Sequence, residues 1–227
     1  MRHIKTAVVL IGRSGCGKGK GAEPLRQMGI SVLETGALFR EMKQQAKHSP
    51  SIDCIDSGIL VADETVMWQV KLWLTAHKEK MIVLDGAIRT EQQANTIVQE
   101  LKSRGYQLAT FWFNASEQAC RNRITKRASE TQDGRVDDST VESIDHKLKA
   151  FDQKTLPIKP FMQSPQVSHQ FVEVAEDLGV QEVQSLIMHS LGLISNARIT
   201  SSNQPAVFVA PALARQIFKD EPHPVEP

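Results

Sequence analysis

The chain is poor in several features, and each shortage removes a class of function. Its 227 residues include three cysteines, Cys16, Cys54 and Cys120, no two of which have metal-ligand spacing. This argues against a zinc knuckle or a disulfide framework and for a reduced, cytoplasmic protein. Lys and Arg number 27 against 26 Asp and Glu, a formal net charge of +1. With no bulk field to attract nucleic acid or a membrane, any anion site has to be a local cluster of arginine and lysine. No apolar run approaches the roughly 18 residues of a membrane span. The apolar part of the first eleven residues is too short for a secretory signal, with no cleavage pattern. No internal repeat is evident, and the length suits one substantial core with a small appendage.

What is present begins at once. The apolar run Ala7-Val8-Val9-Leu10-Ile11 leads directly into Gly12-Arg13-Ser14-Gly15-Cys16-Gly17-Lys18-Gly19. A strand feeding a glycine-rich turn points successive backbone N–H groups into one concavity, the helix that follows adds its positive end, and Lys18 brings a mobile ammonium. The spacing is that of a triphosphate-binding loop of the Walker A type, except that Gly19 stands where a Ser or Thr helps hold magnesium. The plainer reading, a glycine-rich surface turn, leaves the preceding strand and the placed lysine unexplained. Cys16 reads as a small packing residue within the loop.

Short β-type runs alternate with helical patterns, with strands expected at 6–11, 31–33, 81–85, 107–113 and 171–174. Such alternation argues for an α/β fold, a parallel sheet flanked by helices. Sites in these sheets collect at the carboxyl ends of strands, where the glycine loop, Thr35-Gly36 and Asp85-Gly86 would all lie. Pro24 is expected to kink or shorten the helix after the loop. Trp68 and Trp73, on a stripe with Val66 and Val70, are expected to pack in the core or a domain seam. From 193 onward the pattern fades, predicting a poorly ordered extension over 193–227 with a short pairing strand at 206–210.

The motifs in order resemble the adenylate kinase family of nucleoside monophosphate kinases, in which Gly follows the loop lysine as a rule. Glu34-Thr35-Gly36-Ala37-Leu38-Phe39-Arg40 is similar to its Thr-Gly-Asp-x-x-Arg segment. Ile55-Asp56-Ser57-Gly58-Ile59-Leu60-Val61-Ala62-Asp63-Glu64 is similar to its Asp-x-Gly-x-Leu-Val-x-Asp-Glu. Leu84-Asp85-Gly86-Ala87-Ile88-Arg89-Thr90 resembles Asp-Gly-Phe-Pro-Arg-Thr. Arg123-Ile124-Thr125-Lys126-Arg127 and Gly134-Arg135-Val136-Asp137-Asp138 resemble the two sides of the lid, and Leu156-Pro157-Ile158 also fits.

The resemblance implies a P-loop NTPase-type fold over 1–192, with a monophosphate-binding helical insert near 35–64 and a short lid near 128–138. It implies ATP and a nucleoside monophosphate as substrates, with Mg2+. Gly12, Gly15, Gly17, Lys18, Gly19 and Lys20 would cradle the donor phosphates. Thr35, Arg40 and Arg89 would hold the acceptor, Arg123, Arg127 and Arg135 would arrive from the lid, and Asp85 would be an outer-shell magnesium partner. Phosphoryl transfer spreads negative charge over the moving group, so converging guanidinium forks are the residue type it needs. Gln93 resembles the family's adenine-reading glutamine, which favours AMP, although the adjacent Gln92 competes for the register. A monomer without nucleic-acid or membrane partners is expected.

The departures are specific. Lys20-Gly21 replaces a common Thr-Gln, Ala37 an acidic residue, Ala87-Ile88 a Phe-Pro pair, and Lys147 a lid arginine after what reads as a one-residue insertion. Asp137-Asp138 reads as a cap for the next helix, a role compatible with pairing to the lid arginines. Three further readings stay open: a catalytically weakened adenine-nucleotide sensor, a pyrimidine monophosphate kinase, and a small-metabolite kinase sharing only the loop.

Overall fold

A computed structural model of the protein describes residues 5–45, 54–130 and 136–194. The expected strand at 206–210 and the extension beyond residue 194 lie outside the described residues, as do Arg135 and part of the expected lid.

Five strands form one parallel sheet in the order β2-β3-β1-β4-β5, with β1 at Lys5–Gly12, β2 at Ser31–Glu34, β3 at Met81–Asp85, β4 at Tyr106–Phe113 and β5 at Gln170–Val174. The expected strands at 81–85 and elsewhere are therefore present, most of them one residue longer at one or both ends. Because both faces are covered, the strands read as near-continuous apolar runs. Alternate residues of β1 feed opposite cores: Ala7, Val9 and Ile11 join one buried cluster, Val8 and Leu10 the other.

Helices link the strands: α1 at Lys18–Gln27, α2 at Thr35–Gln45, α3 at Asp63–Ala76, α4 at Glu91–Ser103, α5 at Glu117–Glu130, α6 at Val141–Ala150, α7 at Lys159–Gln163 and α8 at Val180–Ser190. A π-helical turn, Phe151–Thr155, extends α6. The chain runs from β1 out to β2, back to β3 beside β1, and then to β4 on the far side. The loop leaving β1 thus sits where the strand order reverses, the crevice in which open α/β sheets bind ligands.

Pro24 lies inside α1, which continues past it to Gln27. Proline removes the N–H that would bond the carbonyl of Lys20, and Gln184 Nε2 on α8 donates to that oxygen instead at 2.9 Å. The expected packing of the two tryptophans holds for Trp73, which packs against the core and stacks on His77, but not for Trp68, which is 60% exposed while Val66 and Val70 are buried on the other side of α3. The apolar side chains of α3 run round more of the helix than the core covers, and Trp68 and Leu72 lie on the exposed side.

Candidate active site

The phosphate-type loop is shaped by its glycines at two points. Gly17 has φ of 102°, a left-handed conformation that L side chains rarely adopt. At Gly12 a β-carbon would stand 2.7 Å from Cys16 Sγ and 2.8 Å from Phe113 Cβ. Cys16 is buried against this loop, as its packing role implied. Lys18 begins α1 and folds over the loop, donating to Gly12 O and Arg13 O, both at 2.8 Å, and to Cys16 Sγ at 3.3 Å. Lys20 is exposed on the next turn and lines the same cavity.

Beside the loop, β2 and β3 end together, with Glu34 paired in register with Asp85. Asp85 is 6% exposed, and its carboxylate has no hydrogen-bond or ion-pair partner among the described residues. Its Oδ2 faces Gly19, 4.0 Å from where a β-carbon would stand. Burial raises the Asp85 pKa above the usual carboxylate range, with Lys18 opposing and Glu34 adding to the rise. A buried carboxylate without a partner, set against a loop built for anions, is suited to a cation carried by the ligand. The site therefore fits magnesium in an outer-shell arrangement. Among the described residues no group of three or more His, Cys, Asp or Glu is placed to cage an ion directly.

The acceptor side is built on the ends of the same strands. Thr35 Oγ1 donates to Asp85 O at 3.3 Å, anchoring the start of α2. Arg40, one turn further along α2, lies between two carboxylates, 3.8 Å from Glu34 Oε1 and 3.8 Å from Asp137 Oδ2. Arg89 Nε donates to Gly86 O at 2.9 Å, and its backbone oxygen accepts from Thr155 Oγ1 at 2.8 Å. Thr155 belongs to the π turn, a feature often found where a helix must present a side chain off register. Burial lowers the Arg89 pKa, Asp85 opposes, and Arg40 pushes it down further. Two guanidinium groups within each other's field gain when an anion enters between them.

Gln93 and Gln92 separate cleanly. Gln93 is 1% exposed and forms part of the cavity wall, whereas Gln92 is exposed and reaches Glu64 at 3.4 Å. The opposite rim carries α5 and α6. Arg127 Nε donates to Asp138 Oδ2 at 2.9 Å, and Lys147 Nζ donates to Asp137 O, Asp137 Oδ2 and, at 2.7 Å, Asp138 Oδ1. Burial would raise the Asp138 pKa, but Lys147 and Arg127 hold it below the usual range. The cap of α6 is Thr140, which accepts from Ser143 N. The capping reading for Asp137-Asp138 therefore fails: Thr140 already supplies that bond, and the two aspartates instead partner Arg127 and Lys147.

Of the residues expected at the site, Gly12, Gly15, Gly17, Lys18, Gly19, Lys20, Thr35, Arg40, Asp85, Arg89, Gln93, Arg123, Arg127 and Lys147 all line one cavity of about 980 Å³. Three residues at the site had been given no role of their own, although Glu34 and Asp63 lie within the quoted motifs. Glu34 ends β2 beside Asp85, Arg26 bridges Gly19 O at 3.2 Å and Glu34 at 3.0 Å, and Asp63 holds Gln93. The strand-end position of Glu34 and the motif position of Asp63 signalled their place in the sequence, and nothing signalled that of Arg26.

The comparisons with known proteins agree with this geometry. The family model described as adenylate kinase matches residues 10–167. The chain belongs to the adenylate kinase family. It is 30% identical over 195 residues to the adenylate kinase of Prochlorococcus marinus, covering 84% of this chain and 100% of that relative. It is 34% identical to the adenylate kinase of Methylobacterium nodulans, covering 68% of this chain and 81% of the relative. For the adenylate kinase of Stenotrophomonas maltophilia the identity is 32%, with 68% and 83% covered. The protein is accordingly a nucleoside monophosphate kinase, a phosphotransferase with the α/β fold of that family. Among the described residues no helix is long and apolar enough to cross a membrane.

Proposed function

We propose that this adenylate kinase family member moves the terminal phosphoryl group of ATP to AMP, giving two molecules of ADP, with magnesium. The observation that carries the reading is the meeting of Lys18, Arg40, Arg89, Arg123, Arg127 and Lys147 on one cavity whose wall includes the Gln93 carboxamide. The phosphate loop and Lys18 hold the donor's outer phosphates. Arg40 and Arg89 orient the acceptor phosphate, so that its oxygen attacks in line and the ADP oxygen leaves. Arg123 and Arg127 stabilise the charge on the transferring group, as does Arg135, which lies outside the described residues. Magnesium bound with the nucleotide would neutralise phosphate charge, and Asp85 would hold it through water rather than directly. Excluding water, which would otherwise compete as acceptor, is the part expected of the lid near 128–138, some of which lies outside the described residues.

Gln93 supports AMP, since a carboxamide both donates to and accepts from the adenine edge. The test is a coupled assay with ATP, magnesium and a panel of AMP, CMP, UMP and GMP. The expected outcome is turnover highest with AMP and abolished by a chelator. A preference for CMP or UMP would replace this reading with that of a pyrimidine monophosphate kinase.

A further inference from the structure

The Gln93 carboxamide is held in one orientation by two partners that cannot exchange roles. Its Oε1 accepts from Arg89 N at 2.8 Å, and a backbone N–H can only donate. Its Nε2 donates to Asp63 Oδ1 at 2.9 Å, and a carboxylate can only accept. Asp63 is itself fixed at the start of α3, its Oδ2 accepting from Thr90 Oγ1 at 2.8 Å. Thr90 caps α4 by accepting from Gln93 N at 3.2 Å. One Nε2 hydrogen and one Oε1 lone pair therefore remain for a ligand, in a fixed spatial order.

That order matters for the base. An amide terminus is nearly two-fold about its last torsion, so an unrestrained glutamine flips to suit either pattern of donors and acceptors. A 6-aminopurine presents a ring nitrogen acceptor beside an amino donor, and a 6-oxopurine presents an N–H donor beside an oxygen acceptor. Flipping Gln93 to serve the second pattern would set Nε2 against the Arg89 N–H and Oε1 against the Asp63 carboxylate. Both existing bonds would be lost and both new approaches would be repulsive.

We propose that Asp63 is a specificity-setting positioning residue: by locking the Gln93 carboxamide it makes the acceptor site reject 6-oxopurine monophosphates in favour of 6-aminopurine ones. The inference rests on the AMP reading and deepens it. Asp63 does not line the cavity and is taken to act through Gln93. The experiment compares kcat/KM for AMP and GMP, with ATP and magnesium, in the wild type, Asp63→Asn, Asp63→Ala and Asp63→Glu. Asparagine can turn its own amide to meet a flipped Gln93, so the AMP-to-GMP ratio in Asp63→Asn is expected to fall about tenfold or more, equal to about 1.4 kcal/mol. Asp63→Ala removes one of the two restraints and leaves the Arg89 N–H, so it is expected to lower the ratio less than Asp63→Asn, whereas Asp63→Glu keeps a carboxylate and is expected to stay nearer the wild-type ratio. Simple loss of folded protein would lower both activities together and leave the ratio alone. A ratio within about twofold of wild type in both Asp63→Asn and Asp63→Ala overturns the proposal. A wild type that does not prefer AMP overturns the underlying substrate reading instead, so the two failures are distinguishable.

Discussion

Lys18 and Lys147 face one cavity from opposite sides, and each has its three ammonium hydrogens engaged. Lys18, on the sheet side, donates to two backbone carbonyls and to the Cys16 sulfur. Lys147, on the rim, donates to one carbonyl and to the carboxylates of both Asp137 and Asp138. Thiols are weak acceptors, and the Lys18 contacts are all neutral, so an arriving phosphate gains nearly the whole charge of Lys18. Lys147 is already neutralised, and a phosphate gains it only by displacing an aspartate oxygen. The floor of the site is therefore charged and ready, while the rim has to exchange partners. The two acids differ in the same way: Asp85 on the floor is buried without a partner, and Asp138 on the rim is buried between two cations.

Breaking the floor gives the largest expected effect. Lys18→Ala should reduce turnover by at least about a hundredfold, the scale of a lost contact to a transition-state anion, with the melting temperature little changed. Steady-state kinetics and a thermal melt check both halves. Asp85→Asn should also cost roughly a hundredfold and weaken the magnesium dependence of nucleotide binding, yet raise the melting temperature of the ligand-free protein.

The two acids should also show opposite pH signatures. The folded pKa of Asp85 lies above the ordinary value of 3.8, so its stability cost is absent below pH 3.8 and grows as pH rises through the folded value. The folded pKa of Asp138 lies below 3.8, so its contribution is present above that pH and is lost as pH falls through the folded value. Melting temperatures against pH for Asp85→Asn and Asp138→Asn, each relative to wild type, should therefore diverge above pH 3.8: the first more stable, the second less. Parallel curves would erase the distinction between floor and rim.

A smaller effect separates phosphate from base. Arg89→Ala should weaken every monophosphate alike, by about 10- to 100-fold in kcat/KM, because all carry the same phosphate. Gln93→Ala should mainly flatten the ranking among AMP, CMP, UMP and GMP. An unchanged ranking would remove Gln93 from base recognition.

The smallest change sharpens the rim. Lys147→Arg should raise kcat by up to about tenfold with little change in KM. A guanidinium has five donors and can keep Asp138 while offering N–H groups to a phosphate, whereas all three of the lysine's are occupied. A lower kcat would show that the compact acid cage around Lys147 has no room for a planar fork.

Much of this was written locally in the chain. The run into Gly12 and Lys18 specified strand, loop and helix, because glycine and apolar alternation act over a few residues. Strand periodicity placed Asp85 and Thr35 at strand ends. Motif spacing brought Arg40, Arg89, Arg123 and Arg127 to the cavity they line. What the sequence did not carry was pairing across long separations. Gln184 satisfying the carbonyl freed by Pro24 and Trp68 falling outside the core both depend on which helix lands beside which. The same holds for Asp63 and Gln93, 30 positions apart, and for Lys147 closing on Asp137 and Asp138. A hydrogen bond is decided within about 3 Å, and only the packed tertiary structure sets distances on that scale between residues the chain keeps far apart.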